Sequence, residues 1–244
     1  MADARNAARR IVFTGAAGGI GTMTRPLLAG FYPGLVLSYR VEPADLQPHE
    51  TFVPADLTRP DEVAAALAGA DSVIHLGGHS VEGTWDQILQ ANIVGCYNVF
   101  EAAREAGVKR VIFASSNHAI GFYPRSRRIG ADVTVRPDSR YGVSKVFGEA
   151  LGSLYSDKHG MAVTCLRIGN VGPVPLDVRR LSIWISPRDP DAPAWRDVAH
   201  HDWEAQRMAV YAAMVDCMDR NIGRLLESLK RLGEFYAQAL LASG

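Results

Sequence analysis

This sequence has no net charge, and that absence narrows the partners it is expected to bind. Its 26 Lys and Arg residues are balanced by 26 Asp and Glu residues. Proteins that bind nucleic acids or anionic membranes usually present an excess of basic residues. We therefore predict neither nucleic acid nor a membrane surface as a partner.

Cysteines and long hydrophobic runs are also scarce. The chain has 3 cysteines (Cys96, Cys165 and Cys217), which are far apart and odd in number. This pattern argues against a disulfide framework and predicts thiols in a reducing compartment, so we expect a cytoplasmic protein. No run of about 18 apolar residues occurs, and residues 1–10 contain no apolar segment of a signal peptide. We therefore expect no membrane-spanning helix and no secretion signal.

The sequence does contain short apolar runs that alternate with helix-like segments. Its 244 residues are 48% hydrophobic, which is ordinary for a globular α/β protein. The alternation predicts a doubly wound parallel Rossmann sheet flanked by helices. The predicted strands are 10–14, 35–40, 52–57, 72–76, 110–115 and 163–169, and the predicted helices are 60–68, 84–106 and 141–158, with a further helix running toward Leu28.

A glycine-rich turn follows the first predicted strand directly. Gly15, Gly18 and Gly21 form a G-x-x-G-x-x-G spacing that leads into a helix. Missing side chains let the backbone approach a pyrophosphate, and the helix N-terminus favours its negative charge. The alternative is a plain glycine turn, but the strand before it and the helix after it favour dinucleotide binding.

The most informative stretch begins at Tyr141. Tyr141 and Lys145 are four residues apart, so on a helix they share one face. A phenol normally ionises near pH ~10, and a nearby ammonium group favours its phenolate. The pair is therefore predicted to supply a general base, although such pairs also occur on solvated helices. Residues 115–118, Ser-Ser-Asn-His, follow the fifth strand, where open α/β sheets bind ligands; the alternative is a polar loop.

Other polar residues are better explained by structure than by chemistry. His75 lies inside an apolar strand and is predicted to be a core histidine. His200, His201, Asp202 and Glu204 are predicted to form a solvated helix start, because adjacent histidines point to different sides of a helix. Residues 203–230 have helical periodicity with one apolar seam.

Several stretches together resemble a known family. The glycine turn, Ser116 and Tyr-x-x-x-Lys resemble the extended short-chain dehydrogenase/reductases. Residues 75–82 (HLGGHSVE), 88–93 (ILQANI), 113–124 (FASSNHAIGFYP) and 141–145 (YGVSK) are similar to bacterial uronate dehydrogenases. The resemblance covers about residues 10–189. It implies NAD-dependent oxidation of the anomeric hydroxyl of galacturonate or glucuronate to an aldarolactone, with a sugar acid as ligand and a homodimer as one arrangement.

The resemblance also implies roles for individual residues. Tyr141 would be the base, Lys145 the group that lowers its pKa and holds the ribose, Ser116 a hydrogen-bond partner of the reacting hydroxyl, and Asn92 a supporting residue. The implied substrate-binding residues are Ser80, Ser116, Asn117, His118, Tyr141 and Arg179. The implied cofactor-binding residues are Gly15, Gly18, Gly19, Ile20, Gly21, Tyr39, Arg40, Asp56, Leu57, Leu76, Gly77 and Lys145.

The chain departs from that family in two places. Tyr39 stands where the family has a ribose-binding aspartate, and Arg40 follows it, so we expect NADP to be tolerated although NAD stays preferred. The likeness ends near Asp189, before the family's substrate-closing region. Residues 193–233 instead resemble a helix of type I sulfatases, but the Cys-x-Pro-x-Arg nucleophile motif is absent, so no sulfatase chemistry is implied.

These departures lead to a predicted division and to two alternative functions. We expect a dinucleotide-binding and catalytic domain over residues 1–190 and a non-catalytic helical segment over 191–244. No metal site is predicted. A nucleotide-sugar epimerase or dehydratase shares this scaffold, but Ser-Asn-His after the fifth strand favours a small free acid. A dinucleotide-binding protein with little turnover is the second alternative, because the substrate-closing region is missing.

Overall fold

The computed structural model describes residues 9–29, 32, 34–124 and 129–171, together with the backbone of 184–185. The chain divides into two compact units. The first comprises residues 1–122 and 135–165, and the second comprises residues 123–134 and 166–244. The predicted boundary near residue 190 and the predicted helix 203–230 lie outside the described residues, as does Cys217.

A six-stranded parallel sheet forms the centre of the described fold, in the order β3-β2-β1-β4-β5-β6. This order confirms the predicted doubly wound arrangement. The chain adds strands outward in one direction from β1 to β3 and in the other direction from β4 to β6, so the strand order reverses between β1 and β4. The strands are β1 (Ile11–Thr14), β2 (Leu35–Tyr39), β3 (Glu50–Pro54), β4 (Ser72–His75), β5 (Arg110–Ser116) and β6 (Ala162–Ile168).

Helices flank this sheet between the strands. They are α1 (Gly19–Ala29), α2 (Pro60–Leu67), α3 (Trp85–Ile88), α4 (Gly95–Glu105) and α5 (Arg140–His159). No helix among the described residues is both long and apolar enough to cross a membrane. In the second unit, two short strands pair in parallel, β7 (Asn170–Val171) and β8 (Trp184–Ile185).

The central strands bury both of their faces, which explains why they read as continuous apolar runs. Because side chains alternate along a strand, Val12 and Val36 join one core cluster, which includes residues of α2, α4 and α5. The neighbouring residues Phe13 and Leu37 join a separate cluster, against which Leu28 of α1 packs. A parallel sheet covered on both sides therefore follows from the sequence pattern.

Two predicted boundaries are wrong, each for a local reason. The predicted strand 52–57 is displaced, because β3 begins at Glu50 and ends at Pro54; Ala55 is buried in the turn that follows rather than in the strand. The predicted continuous helix 84–106 is interrupted by a π-helical segment, Leu89–Val94. Helical periodicity does not reveal a single wide turn, although such turns often occur at functional sites.

A buried ion pair connects α1 to the start of β3. The Arg25 and Glu50 side chains are only 3% and 1% exposed, and Arg25 Nε donates to Glu50 Oε1 at 3.0 Å. Burial acts to raise the pKa of Glu50, but hydrogen bonds from Arg25 and the Gln47 amide outweigh it and hold that pKa below its usual value. The pair therefore fixes the helix that follows the glycine turn.

We expect Glu50→Ala to destabilise the protein by about 3 kcal/mol, because it leaves the buried Arg25 without its main partner. Urea unfolding at neutral pH measures this change. Asp61→Ala is the control, since its pair with Arg59 is long (3.7 Å) and exposed; with the loss of its favourable charge in the first turn of α2, it should change stability by less than about 1 kcal/mol.

The sign of the pH dependence follows from the lowered Glu50 pKa. Stability contributed by this carboxylate is present above its ordinary pKa and is lost as the pH falls through the folded-state value. Equal destabilisation by Glu50→Ala and Asp61→Ala would contradict the assigned role.

Candidate active site

The loops after β1 and β4 meet at the point where the strand order reverses. Gly15 has a φ of 74°, and a Cβ atom there would lie 2.6 Å from the Gly77 amide nitrogen. A Cβ atom on Gly21 would lie 2.5 Å from the Ala16 carbonyl oxygen. The protein's own backbone therefore requires glycine at both positions, independently of any ligand.

Gly18, Gly19 and Ile20 present a different environment. A Cβ atom on Gly19 would meet nothing within 4 Å, and α1 begins at this residue. The first N–H groups of a helix have no partner within the helix and favour an anion. This open helix start at the carboxyl end of β1 fits a dinucleotide pyrophosphate, so Gly18, Gly19 and Ile20 would hold it through their backbones.

The ends of β2 and β3 carry the predicted contacts to the adenosine half. Tyr39 ends β2, and Arg40 is exposed just beyond it. The Asp56 carboxylate accepts hydrogen bonds from the Thr58 amide at 2.9 Å and the Thr58 hydroxyl at 2.8 Å. These bonds, supported by the charges of Arg40 and Arg59, hold the pKa of Asp56 below its usual range. The charges of Arg40 and the Asp56 carboxylate therefore attract each other.

Leu57, Leu76 and Gly77 line the same region. A Cβ atom on Gly77 would lie 2.6 Å from Leu57 Cδ1, and the Leu76 amide donates to the Thr14 carbonyl at 3.1 Å. His75 is confirmed as a core histidine, with Nδ1 hydrogen-bonded to Thr14 Oγ1 at 2.7 Å. Burial lowers the His75 pKa to about 3, so this side chain is neutral and structural.

The end of β5 and the first turn of α5 bring three predicted residues together. Ser116 acts on the Tyr141 phenol and lowers its pKa against the rise that burial causes. The His118 ring is edge-on to the Tyr141 ring, with 5.6 Å between the ring centroids. The two segments can approach this closely because residue 142 is a glycine. A Cβ atom there would clash with the His118 carbonyl oxygen. Ser116 and Tyr141 are 25 residues apart in the sequence, but the fold brings them into one cluster with His118.

Lys145 is buried beside Tyr141 and is held by the carboxyl end of β5. Its side chain is only 6% exposed, and Nζ donates to the Ala114 carbonyl at 2.8 Å while lying 5.3 Å from the Tyr141 ring centroid. Burial lowers the Lys145 pKa to about 8. Burial also raises the Tyr141 pKa, and the group that opposes this rise is Ser116. The lowering of the Tyr141 pKa by Lys145 stays a prediction.

The residues next to Ser116 are held in a short 3-10 turn, Asn117–Ile120. Ser116 Oγ accepts the His118 amide at 3.2 Å, and it lies 3.3 Å from Asn117 Oδ1. His118 Nδ1 is hydrogen-bonded to Asp138 Oδ1 at 2.8 Å. Asp138 lies just before α5 and was not found from the sequence, since a lone aspartate in a loop carries no motif.

Asn92 occupies the π-helical segment and acts on the backbone around the site. Its Oδ1 accepts the His79 amide at 2.6 Å, while its Nδ2 donates to the His79 carbonyl and to Ser144 Oγ, each at 3.0 Å. Ser144 was also missed from the sequence, although it precedes Lys145 directly. Asn92 is therefore placed as a positioning residue.

Two predicted substrate residues are not brought into this cluster by any described contact. Ser80 is exposed on the loop between β4 and α3. Arg179 lies outside the described residues, as do His200, His201, Asp202 and Glu204. Among the residues that the structure describes, no group of three or more His, Cys, Asp or Glu side chains is arranged to hold a metal ion.

We expect Ser116→Ala to raise the pKa of Tyr141 further, because it removes the group that opposes the effect of burial on the phenol. Ultraviolet difference titration, with Tyr141→Phe used to identify the signal, should show phenolate formation at higher pH than in the wild type. Ser115→Ala is the control, since its hydroxyl bonds to Glu149 at 2.5 Å instead. An unchanged Tyr141 titration in Ser116→Ala would contradict the assignment.

Comparison with known proteins agrees with this arrangement. Residues 11–185 match the NAD dependent epimerase/dehydratase family. The chain is 48% identical to a uronate dehydrogenase of Agrobacterium fabrum, over 74% of this chain and 68% of that protein. It is 45% identical to a uronate dehydrogenase of Pseudomonas putida, over 72% of this chain and 66% of that protein.

A solved structure shows the same relationship. A variant of the uronate dehydrogenase from Agrobacterium tumefaciens, complexed with NAD, superposes with a TM-score of 0.70 at 47% identity, covering 73% of this chain and 67% of that one. The chain thus spans about two thirds of the length of the relatives it matches. The match over residues 11–185, together with these identities, shows that the chain belongs to the NAD dependent epimerase/dehydratase family.

Proposed function

We propose that this chain is an NAD-dependent oxidoreductase that converts the anomeric hydroxyl of a hexuronic acid, galacturonate or glucuronate, into an aldarolactone. The observation that carries the proposal is the cluster of Ser116, His118 and Tyr141 at the carboxyl edge of the sheet. The dinucleotide-binding turn lies at the same edge, as ligand sites do in open α/β sheets. The uronate dehydrogenases among its relatives support this substrate class.

The described residues account for the proton movement in this reaction. Bound NAD supplies the acceptor for the hydride that leaves the anomeric carbon. Tyr141 takes the hydroxyl proton, so that a carbonyl group forms at that carbon and completes the lactone. Burial favours the protonated phenol, and Ser116 opposes this effect. We assign the remaining stabilisation of the phenolate to the Lys145 ammonium and to the positive charge that bound NAD would bring.

Substrate recognition is assigned to polar groups next to the base. Asn117 and His118 are fixed in the 3-10 turn, and His118 is further held by Asp138. We place Ser80 and Arg179 in the same role, and a guanidinium suits a substrate carboxylate. Lys145 is assigned to the ribose of the dinucleotide, as the resemblance to the uronate dehydrogenases implies.

Two other functions have weaker support. A nucleotide-sugar epimerase or dehydratase uses the same scaffold, but solved UDP-glucose 4-epimerases are only about half as identical to this chain as the uronate dehydrogenases. A dinucleotide-binding protein with little turnover is favoured only by the departure from the family beyond residue 189. The cytoplasmic location and the homodimer stay predictions.

We expect the protein to reduce NAD when incubated with galacturonate or glucuronate. Tyr141→Phe removes the proton acceptor and should lower kcat by about 10²–10⁴-fold. Nicotinamide absorbance measures both rates. Tyr97→Phe is the matched control, because Tyr97 is exposed on α4, and it should keep nearly the full rate.

The two alternatives give different results in the same assay. NAD binding by calorimetry without turnover of any uronate would contradict the proposed function. Turnover of a nucleotide sugar in preference to free uronates would favour the epimerase. A full rate in Tyr141→Phe would contradict the assigned base while leaving the reaction intact.

Cofactor choice depends on the residues at the end of β2. Tyr39 supplies no carboxylate to repel a 2′-phosphate, and Arg40 supplies a positive charge, which Asp56 partly offsets. We infer from these residues that NADP is also bound. NAD stays the assigned cofactor because the family to which the chain belongs is NAD dependent.

We expect NADP to bind within about a hundredfold of NAD, a difference of roughly 2.7 kcal/mol. Tyr39→Asp should weaken NADP binding more than NAD binding, because a carboxylate repels the 2′-phosphate. Arg40→Ala should act in the same direction. Calorimetry measures both ligands without requiring turnover. A wild-type preference for NAD above a hundredfold would show that Arg40 does not attract the phosphate.

A further inference from the structure

The loop between β4 and α3 is fixed at two positions. At one, Asn92 holds the His79 amide and carbonyl. At the other, Thr84 caps α3 by accepting the Gln87 amide, while the Gln87 side chain accepts the Thr84 amide at 2.9 Å. A Cβ atom on Gly83 would lie 2.9 Å from both His79 Nε2 and Gln87 Oε1, so the loop is closed tightly on itself. Ser80 lies within this loop.

The backbone of Tyr141 is bound to the same loop through both of its polar groups. Its amide donates to Glu82 Oε2 at 3.0 Å. Its carbonyl accepts Ser144 Oγ at 2.7 Å, and Ser144 in turn accepts the Asn92 side chain. The two routes start from His79 and from Glu82, three residues apart in the loop, and end on one residue. The position of the base is thereby linked to the position of the loop.

Glu82 also offsets an unfavourable charge at this helix start. Arg140 begins α5, and a cation there opposes the helix dipole. Arg140 Nη1 lies 3.1 Å from Glu82 Oε1 and donates to the Gly83 carbonyl at 3.2 Å. The hydrogen bond from the Tyr141 amide, followed by the effects of Arg140, holds the Glu82 pKa below its usual value, so this side chain is a carboxylate at neutral pH.

We propose that Glu82 is a positioning residue that sets the distance between the Ser80 loop and the Tyr141 phenol. It contacts the backbone of the base directly and belongs to the loop assigned to the substrate. Its effect is therefore on the geometry between uronate and base rather than on cofactor binding. Small errors in such geometry reduce rates strongly, because misplaced groups lose their near-attack arrangement. The kinetic part of this assignment rests on the proposed function.

Three variants separate the contacts of Glu82. Glu82→Ala removes the acceptor for the Tyr141 amide, and we expect kcat/KM for the uronate to fall by about 10–100-fold while the Kd for NAD changes less than about twofold. Glu82→Gln keeps an oxygen that accepts this amide and should stay within about threefold of the wild type. Arg140→Met removes the ion pair with Glu82 and the hydrogen bond to the Gly83 carbonyl but keeps the contact between Glu82 and the Tyr141 amide, and it should also stay within about threefold.

Hydrogen exchange at the Tyr141 amide, measured by mass spectrometry, supplies a readout that needs no turnover. It should become faster in Glu82→Ala than in Glu82→Gln. Unchanged exchange, an unchanged kcat/KM, or an equal loss of NAD affinity and melting temperature in Glu82→Ala would each overturn the assignment. If the wild type binds NAD but oxidises no uronate, the proposed function fails, and the exchange result alone then decides the role of Glu82.

Discussion

The close approach of the loops after β1 and β4 is the constraint on which the site depends. Because the strand order reverses between β1 and β4, the chain leaves these two strands toward helices on opposite faces of the sheet. A crevice therefore lies between their carboxyl ends. The two loops are nearly in contact at Gly15 and Gly77, where a side chain on Gly15 would strike the opposing backbone. The helix start at Gly19 stays open beside this contact. The fold therefore leaves an open helix start at the position where we propose that the dinucleotide binds.

A second constraint is the tight packing of α5 on β5. Glycines at 142 and 148 let the helix approach the His118 carbonyl and the Phe113 ring, which no larger residue would permit. This approach brings Tyr141 to Ser116 and buries Lys145 against the Ala114 carbonyl. The two residues of the Tyr-x-x-x-Lys motif thus have different environments. The serine affects the ionisation of the base, whereas the lysine is engaged with the end of the strand.

Much of the fold was predictable because its causes are local. Strands buried on both faces produce continuous apolar runs, and a core histidine such as His75 sits within one of them. The boundaries failed where packing overrides periodicity. Ala55 is apolar and buried but lies beyond the strand, and a π turn changes the spacing within an otherwise regular helical pattern. Glu82 and Asp138 were not found because their partners are distant in sequence.

The doubly wound class, the glycine turn and the identity of the residues around the base follow from the amino-acid sequence, since each depends on residue type and short-range spacing. Which of these groups act on one another depends on how the chain folds in three dimensions. Three features arise only when separate segments fold together. They are the burial of Tyr141 and Lys145, the effect of Ser116 on the phenol, and the link from Asn92 through Ser144 to Tyr141. Charge and hydrogen bonding act over a few ångströms in space, and spacing along the chain does not specify those distances.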